Sequence, residues 1–517
     1  MPNRLRYRVF YTARQKVVTS VITLAVTVGA TLYVVDTVND PEDRSCAPGV
    51  ARPQGSTECV GVNGTGHDFG VPALREVATA IARENATLGS GDHVTVAILL
   101  PITSTDTGMS GKVLHELQGA YAQQYRANHE SNDQKPRIRL VLANTGKGNA
   151  HWRTTVDQLK TMTGAPDQLR AVSGVATSST EIRDAVTELT KSGVAVVGTT
   201  ITADDIANGP GRNRYPGLAR VSPTNGDEAR ALAAFGKVDA AKAILVQDTR
   251  TGDHYTDTLK SAFAASLKGK APYEPQLFTS PADMTEEGTT ANTFRQITHL
   301  ICDTTAETVF FAGRHTQLRQ FINALGARGC KSRAFTVLTG DEGSYLGGDK
   351  KLDRAALRAK VTVRYASLAH PDAWKPVPGR PVPTTGGSTA AYDTFVTTLA
   401  RAARAPSGPI GPIALADGQS IVAYDAMATA VHAIRQATPT GSTLPELRDV
   451  GAQWPQVKGS LRVEGASGWI CLDNYGNPYN KAVPIVELAL DGSQRFVQMA
   501  WPEGHPPKDN CLPPGKG

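Results

Sequence analysis

The turn at Ser178, Ser179 and Thr180 holds the residue types best suited to chemistry in this sequence. It follows a short apolar run that ends near Val175, and it precedes Glu181, which opens an amphipathic segment. Hydroxyl groups beside the free backbone N–H groups of a helix N-terminus suit the binding of a carboxylate. The same spacing fits a capping box of Ser178 with Glu181, which needs no ligand. Both interpretations stay open, since one turn can serve both roles.

A second hydroxyl-rich turn follows the next apolar run. Thr199, Thr200 and Thr202 come directly before an acidic helix start at Asp204 and Asp205. An N-cap accounts for such a threonine without a ligand. Ligands of parallel sheets bind beyond the carboxyl ends of the strands, so this turn and the first one are both candidates for the wall of a cleft.

The motifs that would indicate an enzyme are absent from the sequence. It contains no G-x-S-x-G elbow, no G-x-x-x-x-G-K-[ST] phosphate loop and no H-E-x-x-H motif. The nearest approach, His115-Glu116-Leu117-Gln118-Gly119, lacks the second histidine. The 11 histidines do not cluster with the cysteines at zinc-ligand spacings. The sequence therefore predicts a protein without catalytic activity, metal or cofactor.

The six cysteines predict disulfides and an oxidising compartment. Their number is even and none forms a C-x-x-C pair, which is typical of exported proteins. Fifteen connectivities are possible in principle. Short separations along the chain favour three pairs, namely Cys46 with Cys59, Cys302 with Cys330, and Cys471 with Cys511.

The N-terminal residues predict a membrane anchor. Residues 17–35 carry no charge, and their number is close to the roughly 20 residues that span a bilayer as a helix. Basic residues precede this segment and acidic residues follow it, which places residues 1–16 in the cytoplasm and the later domain outside the cell membrane. A cleavable signal peptide with Val28-Gly29-Ala30 as its cleavage site is the alternative. Both interpretations export the domain, and we favour the uncleaved single-pass anchor.

The remainder of the chain alternates between apolar runs and amphipathic segments. Residues 36–70 are rich in Gly, Pro, Asp and Ser and predict a linker with little packing. Seven apolar runs then predict buried strands, at 94–100, 138–143, 171–175, 194–198, 243–247, 308–313 and 335–338. Apolar stripes at helical spacing predict helices over 74–81, 182–189, 318–325 and 427–434. This alternation predicts an α/β fold with right-handed crossovers and mostly parallel sheets.

Composition limits the classes of partner. A chain of 517 residues with 40% hydrophobic and 20% charged residues is globular and forms one or two large domains. The formal net charge is +6, but Arg4, Arg6, Arg8, Arg14 and Lys16 supply five of these charges. The rest of the chain is nearly neutral, which argues against nucleic acid as a partner.

The order of the strand ends resembles the type I periplasmic binding proteins, in particular the branched-chain amino-acid-binding (Leu/Ile/Val-binding-like) family of ABC transporter substrate-binding proteins. The resemblance covers roughly residues 93–500. Its markers in chain order are VTVAILLPITSTDTG with Gly119 on the next helix, SGVATSSTEI, VAVVGTTITADD, RVSPTNGDEA, TVFFAGRHTQLRQFINALGARG, TVLTGDEG, SIVAYDAMATAVHAI, VKGSLRV and LDNYGNP.

This resemblance implies two doubly wound parallel-sheet lobes within residues 71–510, joined by a three-crossing hinge. The crossings would fall near 222–225, between about 345 and 365, and near 473–477. Lobe 1 would then combine about 93–222 with 365–473, and lobe 2 about 223–345 with 474–500. A ligand would lie in the cleft between the lobes.

The resemblance also implies the residues that hold the ligand. Ser178, Ser179 and Thr180 stand on the turn that binds the α-carboxylate of an amino acid in that family. Thr200 and Thr202 stand where threonine and backbone groups meet the polar head of the ligand. Thr105 and Asp106 lie on the loop at the mouth of the cleft, where a plain surface loop is the alternative.

The second lobe departs from the family pattern. Thr251-Gly252 takes the place of a Tyr-Gly pair, so the aromatic contact is missing unless Tyr255 substitutes for it. Asp283, Asp341 and Glu342 are all near the position of the acid that meets the ligand's ammonium group, and we select Asp341. A turn aspartate that caps Gly343 is the alternative interpretation of Asp341.

The predicted function is therefore a membrane-anchored extracytoplasmic solute-binding protein. It would capture a small polar ligand, such as an amino acid or an amide, and deliver it to the permease and ATPase subunits of an ABC transporter. The alternative is an ectodomain of the same fold that senses a ligand or binds a partner protein without a role in transport. Neither role makes or breaks a covalent bond.

Overall fold

The computed structural model describes residues 11–38, 44–89, 91–104, 106–130, 134–267 and 269–513. The chain divides into two compact units, residues 1–45 and 46–517. In the first unit, helix α1 (Ala13–Val38) covers the predicted anchor at 17–35. Over the described ranges, none of the helices combines the length and the apolar character needed to cross a membrane. The anchor is thus not confirmed, and residues 1–10 of the predicted cytoplasmic tail lie outside the description.

Eight strands form the first sheet, in the order β1-β2-β3-β5-β4-β6-β7-β8. They are β1 (Ser45–Ala47), β2 (Val50–Ala51), β3 (Val60–Asn63), β4 (His93–Leu100), β5 (Arg137–Asn144), β6 (Leu169–Gly174), β7 (Ala195–Gly198) and β8 (Leu218–Arg220). Strands β4 to β8 are mutually parallel, and β3 pairs with β5 in the antiparallel direction. This sheet is thus parallel at its centre.

Seven strands form the second sheet, in the order β10-β9-β11-β12-β13-β14-β15. They are β9 (Ala243–Asp248), β10 (Gln276–Phe278), β11 (Thr308–Ala312), β12 (Phe335–Thr339), β13 (Val361–Ala366), β14 (Val483–Leu488) and β15 (Gln494–Ala500). Strands β9 to β13 are mutually parallel. Strand β14 pairs with β13 in the antiparallel direction, and β15 pairs with β14 in the antiparallel direction. Strand β13 belongs to this sheet, so the predicted second crossing at 345–365 is placed too early.

Helices connect and cover the strands of both sheets. They are α2 (Arg75–Asn85), α3 (Thr107–His129), α4 (Trp152–Thr161), α5 (Thr180–Lys191), α6 (Asn225–Gly236), α7 (His254–Leu267), α8 (Thr290–Cys302), α9 (His315–Gly326), α10 (Ala355–Arg358), α11 (Thr389–Ala402), α12 (Gln419–Ala437) and α13 (Leu447–Ala452). The predicted α/β fold with mostly parallel sheets is confirmed. All seven predicted strands are present, because short apolar runs suit strands that are buried on both faces.

Strand order marks where a ligand would bind. In the first sheet β5 and β6 lie on opposite sides of β4, and in the second sheet β10 and β11 lie on opposite sides of β9. The connections after β4 and β6 therefore leave in opposite directions, as do those after β9 and β11, which opens a crevice at the carboxyl ends of the strands in each sheet.

The expectation of a loosely packed linker over 36–70 is wrong for residues 45–63. Strand β3 is buried, and the disulfide of Cys46 with Cys59 holds this segment together. Gly49 and Gly61 belong to the packing itself, since a Cβ on Gly61 would lie 2.2 Å from the Gly49 carbonyl oxygen. The glycines that suggested a linker instead allow two backbones to approach closely.

The two other favoured disulfides, Cys302 with Cys330 and Cys471 with Cys511, are also formed. All three pairings are thus confirmed, and they suit the oxidising compartment expected from the cysteine content.

Helices α3 and α12 pack in direct backbone contact on the first sheet. A Cβ on Gly119 of α3 would lie 2.1 Å from the carbonyl oxygen of Ser420 of α12. Nearby, Nη1 of Arg126 donates a hydrogen bond to the hydroxyl of Tyr424 over 2.9 Å. Helix α12 thus covers the first sheet, although it follows β9 to β13 of the second sheet in the chain.

Candidate functional site

A cavity of about 710 Å³ lies at the carboxyl ends of strands from both sheets. The loops after β4, β5 and β6 form one wall, and the loops after β9 and β10 form the other. The lining residues are Pro101, Ser104, Met109, Lys147, Gly148, Asn149, Thr177, Ser179, Thr180, Glu181, Arg250, Thr251, Gly252, Ser280, Ala282, Asp283, Met284 and Thr285. This is the crevice that the strand order indicates.

The N-terminus of α5 lies in the cavity wall. Ser179 is the N-cap, and its Oγ accepts a hydrogen bond from the backbone N–H of Ile182 over 3.4 Å. The capping residue is therefore Ser179 and not Ser178, whose buried Oγ accepts from the N–H of Ala203. The first turn of a helix offers further N–H groups and the positive end of its dipole, which suits a carboxylate.

Loops of the two sheets contact each other beside the cavity. Ser179 and Asp253 form an isolated antiparallel bridge, and the N–H of Tyr255 donates to the carbonyl oxygen of Ser178 over 3.3 Å. His254 Nδ1 lies 2.5 Å from Asp205 Oδ2. That hydrogen bond raises the pKa of His254. The structure is thus a closed arrangement of the cleft.

The cavity mouth is spanned by an ion pair. Nζ of Lys147, after β5, lies 2.8 Å from Oδ2 of Asp283, after β10. The hydrogen bond to Asp283 raises the pKa of Lys147. A ligand that enters the cavity from this side must displace or pass this pair.

A buried arginine joins three loops of the second sheet deeper in the cleft. Arg314, two residues beyond the end of β11, donates from Nε and Nη2 to the two carboxylate oxygens of Asp253 over 2.8 and 2.7 Å. Its Nη1 donates to Oε1 of Glu342 over 2.8 Å, and its guanidinium lies 4.6 Å from the ring centre of Tyr255. Burial alone would raise the pKa values of Asp253 and Glu342, but the charge and hydrogen bonds of Arg314, together with Arg250 at Asp253 and His315 at Glu342, outweigh it and lower both.

Lys112 of α3 holds the turns after β6 and β7 together. Its Nζ donates to the carbonyl oxygen of Ala176 and to Oγ1 of Thr200, both over 2.9 Å. Glu116 lies 3.7 Å from the same Nζ, and burial raises the pKa of this carboxyl to about 7 despite the lysine. Thr200 therefore already has partners within the protein.

The predicted ligand-binding residues fall into two groups. Ser179, Thr180 and Thr251 line the cavity. The others described are buried or capping residues outside its lining, namely Asp106, Ser178, Thr200, Thr202 and Asp341. Thr105 lies outside the described residues. The role of each in binding stays a prediction.

Two of the second group have specific surroundings. Asp106 caps α3 by accepting from the N–H of Met109 over 2.9 Å. Asp341 is buried, and its backbone N–H donates to Oε2 of Glu228 over 3.1 Å. Tyr255, considered as a substitute for the missing aromatic, is buried under Arg314 and does not line the cavity.

Sequence reasoning assigned no role to Lys147, Arg250, Asp253 or Arg314. Arg314 follows an apolar strand directly, and a charged residue at that position is a signal for a cleft residue. Asp253 is separated from it by 61 positions, so their pairing could not be inferred from spacing. Across the described ranges, no group of three or more His, Cys, Asp and Glu residues is arranged to hold a metal.

Replacing Asp341 by asparagine is expected to flatten the pH dependence of stability. Burial, followed by the Glu342 charge, raises the pKa of Asp341 from 3.8 to about 7. Between these two pKa values the folded chain holds a proton that the unfolded chain releases. The contribution of this proton to the free energy of unfolding is therefore complete below about pH 4 and is lost as pH rises through about 7. As pH rises over that window, the free energy of unfolding of Asp341→Asn should increase relative to that of wild type by up to about 1.4 kcal/mol per pH unit.

Urea unfolding of both chains from about pH 5 to about pH 8 measures this difference. The control is Asp157→Asn, an exposed aspartate paired with Lys160, whose curve should run parallel to wild type. An Asp341→Asn curve that also runs parallel would contradict the buried, protonated state of this carboxyl.

No family model matches the sequence, and no curated protein matches it either. Among solved structures, a leucine-binding protein LivK from Thermotoga maritima shares 16% identity at a TM-score of 0.57, with 79% of this chain and 99% of that chain covered. A second similar structure is the isoleucine complex of LivJ, a branched-chain amino acid transporter substrate-binding protein from Streptococcus pneumoniae. It shares 12% identity at a TM-score of 0.53, with 79% of this chain and 99% of that chain covered.

An ABC transporter solute-binding protein from R. palustris in complex with 4-hydroxybenzoate gives 14% identity and a TM-score of 0.55, over 79% of this chain and 97% of that chain. The class of fold is thus that of the substrate-binding proteins of ABC transporters. Within that class, leucine and branched-chain amino acid-binding proteins recur among the similar structures, which confirms the resemblance found in the motifs at the level of the fold.

Proposed function

We propose that this chain is an extracytoplasmic solute-binding protein that captures a small polar ligand bearing a carboxylate. One observation carries the proposal: a cavity of about 710 Å³ is walled by strand ends of both sheets and includes the N-terminus of α5. The similar structures bind leucine, isoleucine and 4-hydroxybenzoate, each of which is a small carboxylate.

Binding would proceed without a chemical step. The carboxylate would accept hydrogen bonds from N–H groups of the first turn of α5 and from the hydroxyls of Ser179 and Thr180. Closure of the two sheets on the ligand would add the contacts of Ser178 with Tyr255 and of Lys147 with Asp283. The ligand would favour this closed state by its differential affinity for it.

The class of ABC transporter substrate-binding proteins also indicates the protein partners of this chain. Delivery of a captured solute would require the permease and ATPase subunits of an ABC transporter. Attachment to the cell membrane through residues 17–35 belongs to the same proposal, and the three disulfides support the extracytoplasmic location.

Thermal unfolding of the full chain with amino acids, amides and small carboxylates tests this function. A ligand at 100 times its dissociation constant stabilises the folded chain by about 2.7 kcal/mol and raises the unfolding midpoint. Thr180→Tyr, which fills the cavity beside the α5 N-terminus, should weaken binding at least tenfold.

Thr187→Tyr is the matched control, because Thr187 lies on the same helix outside the cavity lining. It should leave the ligand-induced shift unchanged. A folded, oxidised chain that no compound stabilises, or a shift that survives Thr180→Tyr, would contradict capture at this cavity.

A further inference from the structure

His254 links the N-terminus of α5 to the turn after β7. It is the first residue of α7, which follows β9 of the second sheet, and its side chain is 12% exposed. Its Nδ1 lies 2.5 Å from Oδ2 of Asp205, and its Nε2 lies 3.4 Å from Oγ1 of Thr180. Asp205 and Thr180 both follow strands of the first sheet, and Thr180 lines the cavity. One imidazole thus contacts two loops of the opposite sheet beside the cavity.

The contact with Asp205 determines which ring nitrogen of His254 carries a proton. An ionised carboxylate only accepts hydrogen bonds, so Nδ1 of His254 donates to Oδ2 of Asp205. In the neutral imidazole the other nitrogen, Nε2, is then an acceptor, whereas in the charged form both nitrogens are donors. The group that Nε2 offers to Thr180 therefore changes when His254 gains or loses a proton.

The role of the Thr180 hydroxyl changes with it. A neutral His254 accepts at Nε2, so the Thr180 hydroxyl can donate its hydrogen to the ring. A charged His254 donates from Nε2 to Oγ1, which leaves the hydroxyl hydrogen for another acceptor. Within the described chain the carbonyl oxygen of Gly252, at 3.3 Å, is that acceptor. A carboxylate in the cavity would be a stronger acceptor than this peptide carbonyl.

We propose that His254 is a positioning residue of the binding site and that its proton controls the binding of the carboxylate. This inference rests on the proposed function and adds a regulation of the same site. The charged ring makes the Thr180 hydroxyl a donor for the ligand and adds positive charge beside the N-terminus of α5. Through Asp205 it also holds the two sheets in the closed arrangement. Proton uptake by His254, closure and carboxylate binding should therefore favour one another.

The charges around His254 favour its protonated form in the closed arrangement. The hydrogen bond to Asp205 raises the pKa of His254, burial opposes this rise, and the Asp205 charge adds to it. Arg183 of α5 lowers the pKa, but its guanidinium is paired with Asp184 over 2.8 Å. Asp257, one turn further along α7, raises it. When the cleft opens, the contact with Asp205 is lost, and the pKa should return towards about 6.5.

Binding should therefore take up a proton. The closed, liganded chain holds a proton on His254 at pH values at which the open chain has released it. The contribution of His254 to the affinity is complete below about pH 6.5 and is lost as pH rises through the raised pKa. Over this range the affinity should fall by up to about tenfold per pH unit.

Isothermal titration of the oxidised full chain from about pH 5.5 to about pH 8.5 tests the inference. The probes are L-leucine, L-isoleucine, 4-hydroxybenzoate and the other amino acids and small carboxylates of the thermal unfolding experiment. The affinity of the wild-type chain for each probe that binds should fall as pH rises. Titration in two buffers of different ionisation enthalpy should show proton uptake on binding.

Substitutions at the three residues separate their contributions. His254→Asn keeps a donor near Asp205 but removes the titrating ring, so it should bind about tenfold more weakly at about pH 5.5 and lose the proton uptake. Asp205→Asn should move the fall in affinity to lower pH, because the charged acceptor that raises the pKa of His254 is removed. Thr180→Val should reduce the pH response, whereas Thr180→Ser, which keeps the hydroxyl, should retain it.

The control His299→Asn changes an exposed histidine of α8 and should follow wild type at every pH. Asp341, whose pKa is raised to about 7, is present in every chain, so the difference between the profiles belongs to the substituted residue. Circular dichroism confirms that each variant is folded.

A His254→Asn profile that coincides with that of wild type, or a Thr180→Val profile that keeps the full pH response, overturns this inference and leaves the proposed function standing. A folded chain that binds none of the probes overturns both.

Discussion

Replacing Arg314 by methionine is expected to lower the free energy of unfolding by about 3–5 kcal/mol at neutral pH. The guanidinium is buried and is the counter-ion of both Asp253 and Glu342. Methionine fills a similar volume but removes the counter-ion that the two buried carboxylates share, so that Asp253 keeps only Arg250 and Glu342 keeps only His315 as an ion-pair partner. Chemical denaturation of the oxidised full chain, followed by circular dichroism, measures the loss.

The pH dependence separates this charge effect from a simple packing defect. Arg314 holds the pKa of Glu342 well below 4.5, so its stabilisation is present above that pH and is lost as pH falls. The difference between Arg314→Met and wild type should therefore shrink below about pH 4. Asp253→Asn with Glu342→Gln in the Arg314→Met chain should recover part of the loss.

The control for this variant is Lys242→Met, which removes an exposed lysine paired with Glu307. Its unfolding midpoint should match that of wild type, since exposed ion pairs add little. An Arg314→Met chain as stable as wild type at neutral pH would mean that the buried network does not hold these loops of the second sheet together.

A single methyl group at Gly119 is expected to cost about 1–3 kcal/mol of stability. The Cβ of Gly119→Ala would lie 2.1 Å from the carbonyl oxygen and 3.0 Å from the Cα of Ser420. These are backbone atoms of α12, so the two helices must separate because no side chain can rotate away. Thermal and urea unfolding of the full chain measure the effect.

The same helix provides a matched control. Gly111 also lies in α3, and a Cβ there would meet no atom within 4 Å. Gly111→Ala should raise stability by about 0.5–1 kcal/mol, because alanine favours the helix more than glycine. If both variants change stability in the same direction, the close contact of α3 with α12 does not limit the packing of the first sheet.

Sequence patterns predicted seven of the ten described parallel strands, because each of the seven lies in a short, mainly apolar run, whereas β8, β10 and β13 were not predicted. The run at 308–313, for example, contains all of β11. Helix α7 was not predicted, since its polar and apolar residues give a weak stripe. The segment 45–63 was misread because glycine and proline serve both flexible linkers and close backbone contacts.

The predicted residues that line the cavity come from two strand ends, the turn after β6 and Thr251 after β9. Ser179 and Thr180 lie at a strand end beside a helix start, and both line the cavity. The pairing of Arg314 with Asp253 depends on β9 and β11 being neighbours in the second sheet, and a linear pattern does not contain that information. The missing aromatic at Thr251 marked the position where this chain departs from the family, two residues before Asp253.

The contact of α3 with α12 also constrains the order of folding. All of β9 to β13 lies between these two helices in the chain, so the first sheet is completed by residues made after most of the second. Such long-range contacts slow folding and delay the burial of apolar surface. A nascent chain that ends before residue 419 leaves α3 without its partner, so the first sheet should reach its native form only late in synthesis.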